Sequence, residues 1–368
     1  MAVAASSSSS SSSSLSPCSD DLTVPNPIKI LALNDNDDLL QYTSDERKTS
    51  LVEKIGYQTG SCVALVGNYV YVVGGLDDNH IPTSQVVFYD LITDDDSFPL
   101  AKHQAPSLNS PKFTPILIVM GHILFAFSYR FQHATRVYSS LYPPSSLSAP
   151  EPLPICEFLD TSSPSNKWCP LTSFPTLPPP ALVRLYAYSI SSYAVQPNQE
   201  KLFLSFGLGF QTIGFFSTCY CRSKDIWTDV LSHPLPFVGE GKFIDNICFG
   251  FPSGMDRHDC DYVASYKVDV DWGVRIFNFI PLATYSLLSN STLTDCPTFF
   301  SFEPVSSRVL TTIRVKVEEL YRLELEVLEL LPLEVEVEEG QRKFRTNVCS
   351  TTTYTMYHHV GAIVGAYW

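Results

Sequence analysis

The stretch from Val63 to Asp90 constrains this chain most. It runs Val-Ala-Leu-Val, a Gly67-Asn68 pair, Tyr-Val-Tyr-Val-Val, paired glycines Gly74-Gly75, a polar loop, and then Val86-Val87-Phe88-Tyr89-Asp90. Two apolar runs flanking Gly-Asn read as a β-hairpin, because such a turn needs left-handed backbone that these two residue types accept. The third run makes a meander. The paired glycines have a physical role: a strand end that bends sharply or meets another backbone closely leaves no room for a Cβ.

From about Pro27 onward the chain keeps this style, with strand-sized apolar runs separated by turn residues and no helix–strand alternation, so the expected class is all-β. Ile28 to Leu33 is a first strand, and Thr43 to Ile55 is a polar, helix-compatible segment leading into the unit at Val63. A second unit is expected over Phe113 to Tyr138, with a Gly121-His122 turn, Phe127-Ser128 in the glycine-pair position, and Arg136-Val137-Tyr138 as its third strand. A third unit spans Leu185 to Tyr220, a fourth Lys242 to Val270 and a fifth roughly Thr298 to Val337, with Thr351 to Trp368 as a closing strand pair. Eleven of the 27 prolines fall between Pro143 and Pro180. That segment is expected to run over the surface as an extended insertion, either functional or simply tolerated.

Tryptophan carries a second repeat. Trp168-Cys-Pro-Leu171-Thr-Ser-Phe-Pro175 and Trp227-Thr-Asp-Val230-Leu-Ser-His-Pro234 share the tryptophan, an aliphatic residue three positions on and a proline seven on; Phe98 fills the slot after the first unit. Residues 316–339 hold nine glutamates, and two periods compete there. Odd positions from Ile313 to Val337 are apolar or aromatic except Glu319 and Glu329, which favours half-buried strands broken near Glu318-Glu319 and Pro332. Val317, Leu320, Val327 and Leu331 also suit one helical face, but period and context together favour strands.

Residues 1–24 contain an unbroken serine run from Ser6 to Ser14 and are expected to be a disordered tail. A chloroplast transit peptide is the alternative, weakened by the absence of arginine and by Asp20-Asp21. The formal net charge of −14 opposes phosphate backbones and anionic membranes, so neither nucleic acid nor membrane is an expected partner. Ten cysteines without a compact framework, and no secretory leader, point to a reducing compartment, cytoplasmic or nuclear. Cys219-x-Cys221 and His258-x-Cys260 lack a second ligand pair at zinc spacing, so no metal is expected. Asn290-Ser-Thr292 matches a glycosylation acceptor that has no meaning without secretion.

Val72-Val73-Gly74-Gly75, Phe88-Tyr89-Asp90 and the Trp168 and Trp227 repeats together resemble the kelch-repeat superfamily, whose period is roughly fifty residues. Within it the chain looks most like uncharacterised plant proteins with degenerate kelch-like repeats. The resemblance covers about residues 57–300 and implies a β-propeller of five to six four-stranded blades. The domain reading is a tail over 1–24, a polar lead-in over 25–56, and the propeller over 57–368 with its Pro-rich insertion at 143–180. Relatives with an F-box carry a Leu-Pro-acidic-acidic opening, and Asp35-Asn-Asp-Asp-Leu39-Leu40 is not that motif. Iron-binding plant specifier proteins use Glu-x3-Asp-x3-His, and no glutamate here has an aspartate four positions later. Secreted copper radical oxidases of this fold need tyrosine and histidine ligands that no motif here carries over.

General catalytic motifs fail as well. Gly207-Leu-Gly209 to Gly214 has the wrong last spacing for a dinucleotide loop, and Gly239-Glu-Gly241-Lys242 lacks the Walker spacing and its hydroxyl residue. His358-His359 and the cluster from Asp256 through His258 and Cys260 to Asp261 are the remaining polar concentrations; a solvated turn is the default for the latter, and ligand contact the sharper reading. No catalytic, cofactor-binding or metal residue is therefore assigned. The expected function is a non-enzymatic scaffold presenting propeller loops to a protein partner, with the acidic segment 316–339 favouring a basic surface. The alternative is a small-molecule or sugar-acting enzyme built on a kelch propeller.

Overall fold

The structure, a computed structural model, describes residues 29–34, 38–43, 49–54, 60–91, 102–128, 156–163, 167–171, 174–175, 188–208, 216–244, 246–253, 262–286, 299–306, 309–317, 321–332, 344–356 and 360–367. The elements are β-strands joined by turns, with two single-turn 3-10 segments at Pro197–Gln199 and Arg222–Lys224. The all-β class is as expected.

Strands β1 (Lys29–Asn34), β2 (Asp38–Thr43) and β3 (Thr49–Lys54) pair antiparallel in order. The helix-compatible reading of Thr43 to Ile55 gives way to β3, whose Leu51 pairs with Leu40. The next sheet is β4 (Ser61–Val66), β5 (Tyr69–Gly74), β6 (Val86–Asp90) and β7 (Lys102–Gln104). Gly67 at the β4–β5 turn has φ +60, the left-handed backbone that the Gly-Asn pair implies.

A third sheet holds β8 (Ile116–Met120), β9 (Ile123–Phe127), β10 (Cys156–Asp160) and β11 (Trp168–Pro170). Here the structure corrects the sequence reading. The Pro-rich stretch 143–180 is not simply a surface insertion, because it contains the third and fourth strands of this sheet. Cys156-Glu-Phe-Leu-Asp160 is proline-free and pairs with all of β9, Leu159 opposite Leu124. Arg136 to Tyr138, expected in that place, lies outside the described residues.

The largest sheet joins two meanders. The first is β12 (Tyr188–Gln196), β13 (Lys201–Leu208), β14 (Phe216–Cys221) and β15 (Ile226–Trp227). The second is β16 (Phe237–Ile244), β17 (Ile247–Pro252), β18 (Tyr262–Asp271) and β19 (Ile276–Ser286). Their first strands β12 and β16 run parallel, Ser192 to Val195 beside Gly239 to Lys242. The last four-stranded set is β20 (Phe299–Ser306), β21 (Val309–Val317), β22 (Tyr321–Pro332) and β23 (Phe344–Met356). β21 and β22 realise the alternating pattern around the acidic segment as strands. β24 (Val360–Tyr367) leaves that sheet and pairs with β1, so the expected closing pair is split between two sheets.

The core lies between consecutive sheets, and strand alternation assigns the faces. In β9, Leu124 and Ala126 pack towards Ala64, Val66 and Tyr71, while Phe125 and Phe127 pack towards Leu202, Leu204 and Phe206. In β13, Phe203 turns the other way, to Phe237, Phe277 and Phe279. β9 is buried along its whole length, as expected of a strand covered on both faces. The tryptophans close these layers. Trp168 packs with the β4–β6 side and donates its indole N–H to the Pro106 carbonyl, 3.0 Å away; Trp227 packs with Phe125, Tyr220 and Phe174.

Candidate functional site

The glycine pair sits at the join between two sheets. Gly74 (φ +70) and Gly75 (φ +106) both need glycine's backbone freedom, and a Cβ on Gly74 would lie 2.4 Å from the Lys112 carbonyl oxygen. The Gly75 N–H donates to that same carbonyl at 3.0 Å, and the Lys112 N–H to Thr83 O at 3.0 Å. The β7–β8 connection is thereby held against the end of β5, which carries the Lys112 side chain inward.

Lys112 Nζ meets Glu157 Oε1 at 3.1 Å, and both side chains are 0% exposed. Glu157 Oε1 also accepts from the Ser110 N–H at 3.1 Å and the Ser110 hydroxyl at 2.8 Å. Its Oε2 accepts from the Asn109 N–H at 2.6 Å and Asn109 Nδ2 at 2.7 Å. One carboxylate thus collects five donors. Lys112 Nζ is shared with Ser110 Oγ at 2.9 Å and Ser128 Oγ at 3.4 Å. Burial holds the Lys112 ammonium below the ordinary lysine value, against the opposing pull of Glu157. Burial likewise pushes the neighbouring Cys156 thiol well up. The carboxylate and the ammonium are both partnered within the protein, as structural buried ion pairs require.

A second polar concentration lies at the turns. Arg222 donates to Asp160 Oδ2 at 2.8 Å and lies 3.6 Å from Glu200 Oε1, while His122 Nε2 lies 3.6 Å from Asp160 Oδ1. Burial raises the Asp160 carboxyl, but hydrogen bonds from Ser162 and then the charges of His122 and Arg222 outweigh it and hold it below the usual value. This network links the β8–β9, β10–β11, β12–β13 and β14–β15 turns. Gln196 and Gln199 extend it to Asn246 at 3.1 and 2.7 Å.

The residues weighed from sequence fall as follows. Cys219 and Cys221, two positions apart on β14, are buried thiols; burial pushes Cys219 well up, and Cys221 Sγ contacts Ser223 Oγ at 3.4 Å. Among the described residues no group of three His, Cys, Asp or Glu side chains is arranged to hold a metal, and no helix is long and apolar enough to cross a membrane. Gly239, Gly241 and Lys242 belong to β16, where Lys242 pairs with Glu240 at 2.9 Å; Gly207 belongs to β13. Asp256 to Asp261, His358-His359, Asn290-Ser-Thr292 and Phe98 lie outside the described residues. Sequence reasoning missed Glu157, Asn109, Ser110 and Lys112. The available signal was Glu157 itself, a lone charge inside a short apolar run.

No curated protein matches the chain. Residues 48–270, more than half of its length, match the model of a family described as proteins of unknown function, DUF1668, so this fold of four-stranded antiparallel sheets belongs to a DUF1668 protein.

Proposed function

We propose that the sheets are the six blades of a kelch-like propeller, and that the protein is a non-enzymatic scaffold binding a protein partner through loops at one end. Three arrangements support the propeller. Consecutive sheets pack face to face. The first strands follow one another in space, β24 beside β4, β4 beside β8, β8 beside β12, β12 beside β16 and β16 beside β20. The C-terminal β24 also takes the inner place of the sheet begun by β1, a closure that joins both ends of the chain in one blade.

The observation that carries the binding role is the placement of the connections. In each central meander the first two strands are joined by a tight turn, whereas the second and third are joined by 75–85, 128–155, 209–215 and 253–261. Antiparallel order, the parallel β12–β16 pair, the Arg222–Asp160 bond and the Gly75–Lys112 bond set the strand ends that these connections join on one side of the sheets. Binding loops held on a rigid scaffold follow this pattern. The enzyme alternative draws no support from the Lys112–Glu157 pair, whose two side chains have zero exposure and hold each other. The net charge of −14 and the glutamates of 316–339 favour a partner with a basic surface.

The test is affinity capture with the full chain and with a variant whose residues 129–154 are replaced by a short Gly-Ser linker. A partner retained by the first, lost by the second and released by salt is the expected result. Capture unchanged by replacing both 129–154 and 254–261 would overturn the reading, as would turnover with a stoichiometric bound metal.

A further inference from the structure

Sheet edges are open rows of backbone donors and acceptors, and natural proteins usually keep them short. The outer strands β7, β11 and β15 obey this, with three, three and two residues. β19 does not: it ends its sheet and runs for eleven residues. Its first five, Ile276-Phe277-Asn278-Phe279-Ile280, are a palindrome centred on Asn278. Phe277 and Phe279 face inward, 4% and 9% exposed, whereas Ile276 and Ile280 are 45% and 38% exposed. β23 of the neighbouring sheet also approaches β19, and these exposures stand with β23 in place. Val274, in the turn before β19, is the most exposed large hydrophobic residue among those described.

The hairpin tip is fixed. Asp271 Oδ1 accepts from the Gly273 and Val274 N–H groups at 2.8 and 3.2 Å, Arg275 O accepts from the Asp229 N–H at 2.8 Å, and Lys224 lies 5.2 Å from the Trp272 ring centre. At the other end Pro281 has no N–H to offer and bounds the segment.

We propose that two copies of this chain pair through β19, antiparallel, about a two-fold axis at Asn278. A two-fold contact is self-complementary, so residue i of one copy meets j of the other and j meets i. The palindrome satisfies this side chain by side chain, with Ile276 opposite Ile280 of the second copy, Phe277 opposite Phe279, and Asn278 opposite itself. On the exposed face the pairing covers both isoleucines. It also extends the row Lys267–Ile280 to the second copy's Ile276 and Asp271, which keeps like charges apart. This surface is separate from the loop end proposed above.

Sedimentation equilibrium on the full chain tests it, with a concentration-dependent monomer–dimer equilibrium expected. I276K/I280K sets lysine against lysine in both rows and weakens the dimer by about tenfold or more; I276K/I280E sets lysine against glutamate and restores it. Both sites are exposed, and circular dichroism of each variant checks the fold independently. In N278C the facing Cα atoms lie about 5 Å apart, within disulfide reach, so oxidation gives a peptide linked 278 to 278 by mass spectrometry. A chain that stays monomeric, an I276K/I280K dimer as tight as the native one, an I276K/I280E dimer as weak as I276K/I280K, or no 278–278 link would each overturn the proposal.

Discussion

Replacing Glu157 should harm the protein more than replacing its partner Lys112, and the donor count gives the reason. In E157Q the Lys112 ammonium stays in a site of zero exposure without its counter-charge, and the glutamine NH2 must face donors on Asn109 or Ser110. Breaking a buried pair in this way costs about 3–5 kcal/mol. At about 2–4 °C per kcal/mol for a large domain, Tm falls by roughly 6–20 °C. In K112M the carboxylate loses one charge-assisted bond, about 1.5–3 kcal/mol, and keeps its four other donors, while the methionine fills most of the vacated volume. Scanning calorimetry or urea unfolding of both variants measures the order. If K112M is as damaging as E157Q, or if E157Q costs under about 1 kcal/mol, the node is not the anchor that its geometry describes.

Gly67 and Gly74, both with positive φ, separate strain from crowding. G67A meets nothing within 4 Å and should cost only the backbone term, about 1–2 kcal/mol, whereas G74A also pushes a Cβ to 2.4 Å from the Lys112 carbonyl and should cost clearly more; equal urea midpoints would contradict this. Burial pushes Cys62 up from 9.0 and Tyr71 up from 10.0, each to about 12. The folded state therefore holds their protons more tightly than the unfolded chain. Their contribution is full below about pH 9 and is lost as pH rises towards 12, so unfolding midpoints should fall between pH 8 and pH 11 and C62S should reduce that fall. Cys156, Cys219 and Cys248 are buried and shifted up by burial, so alkylation mapped by mass spectrometry should reach them only after unfolding.

Strands whose apolar period was undisturbed were legible in the sequence. β5, β9 and β13 are central, covered on both faces, and their near-continuous apolar runs announced them. β10 was hidden for two physical reasons: flanking prolines marked the region as extended loop, and Glu157 broke the apolar run. That glutamate is tolerated because Asn109, Ser110 and Lys112 enclose it, and no local pattern encodes those partners 45 or more positions upstream. β19 was missed because Pro281 reads as a break, whereas an outer strand needs no N–H on its free side. The pairing of β1 with β24 was equally invisible, since neither strand carries a mark of the other.

That last pairing has a kinetic consequence. Lys29 lies opposite Tyr367, so β1 finds this neighbour only after more than three hundred further residues have been made. Until then β1 presents an unpaired edge, and contacts this distant in sequence are slow to form. Until β24 docks, the nascent protein would depend on chaperones more than its compact local meanders suggest.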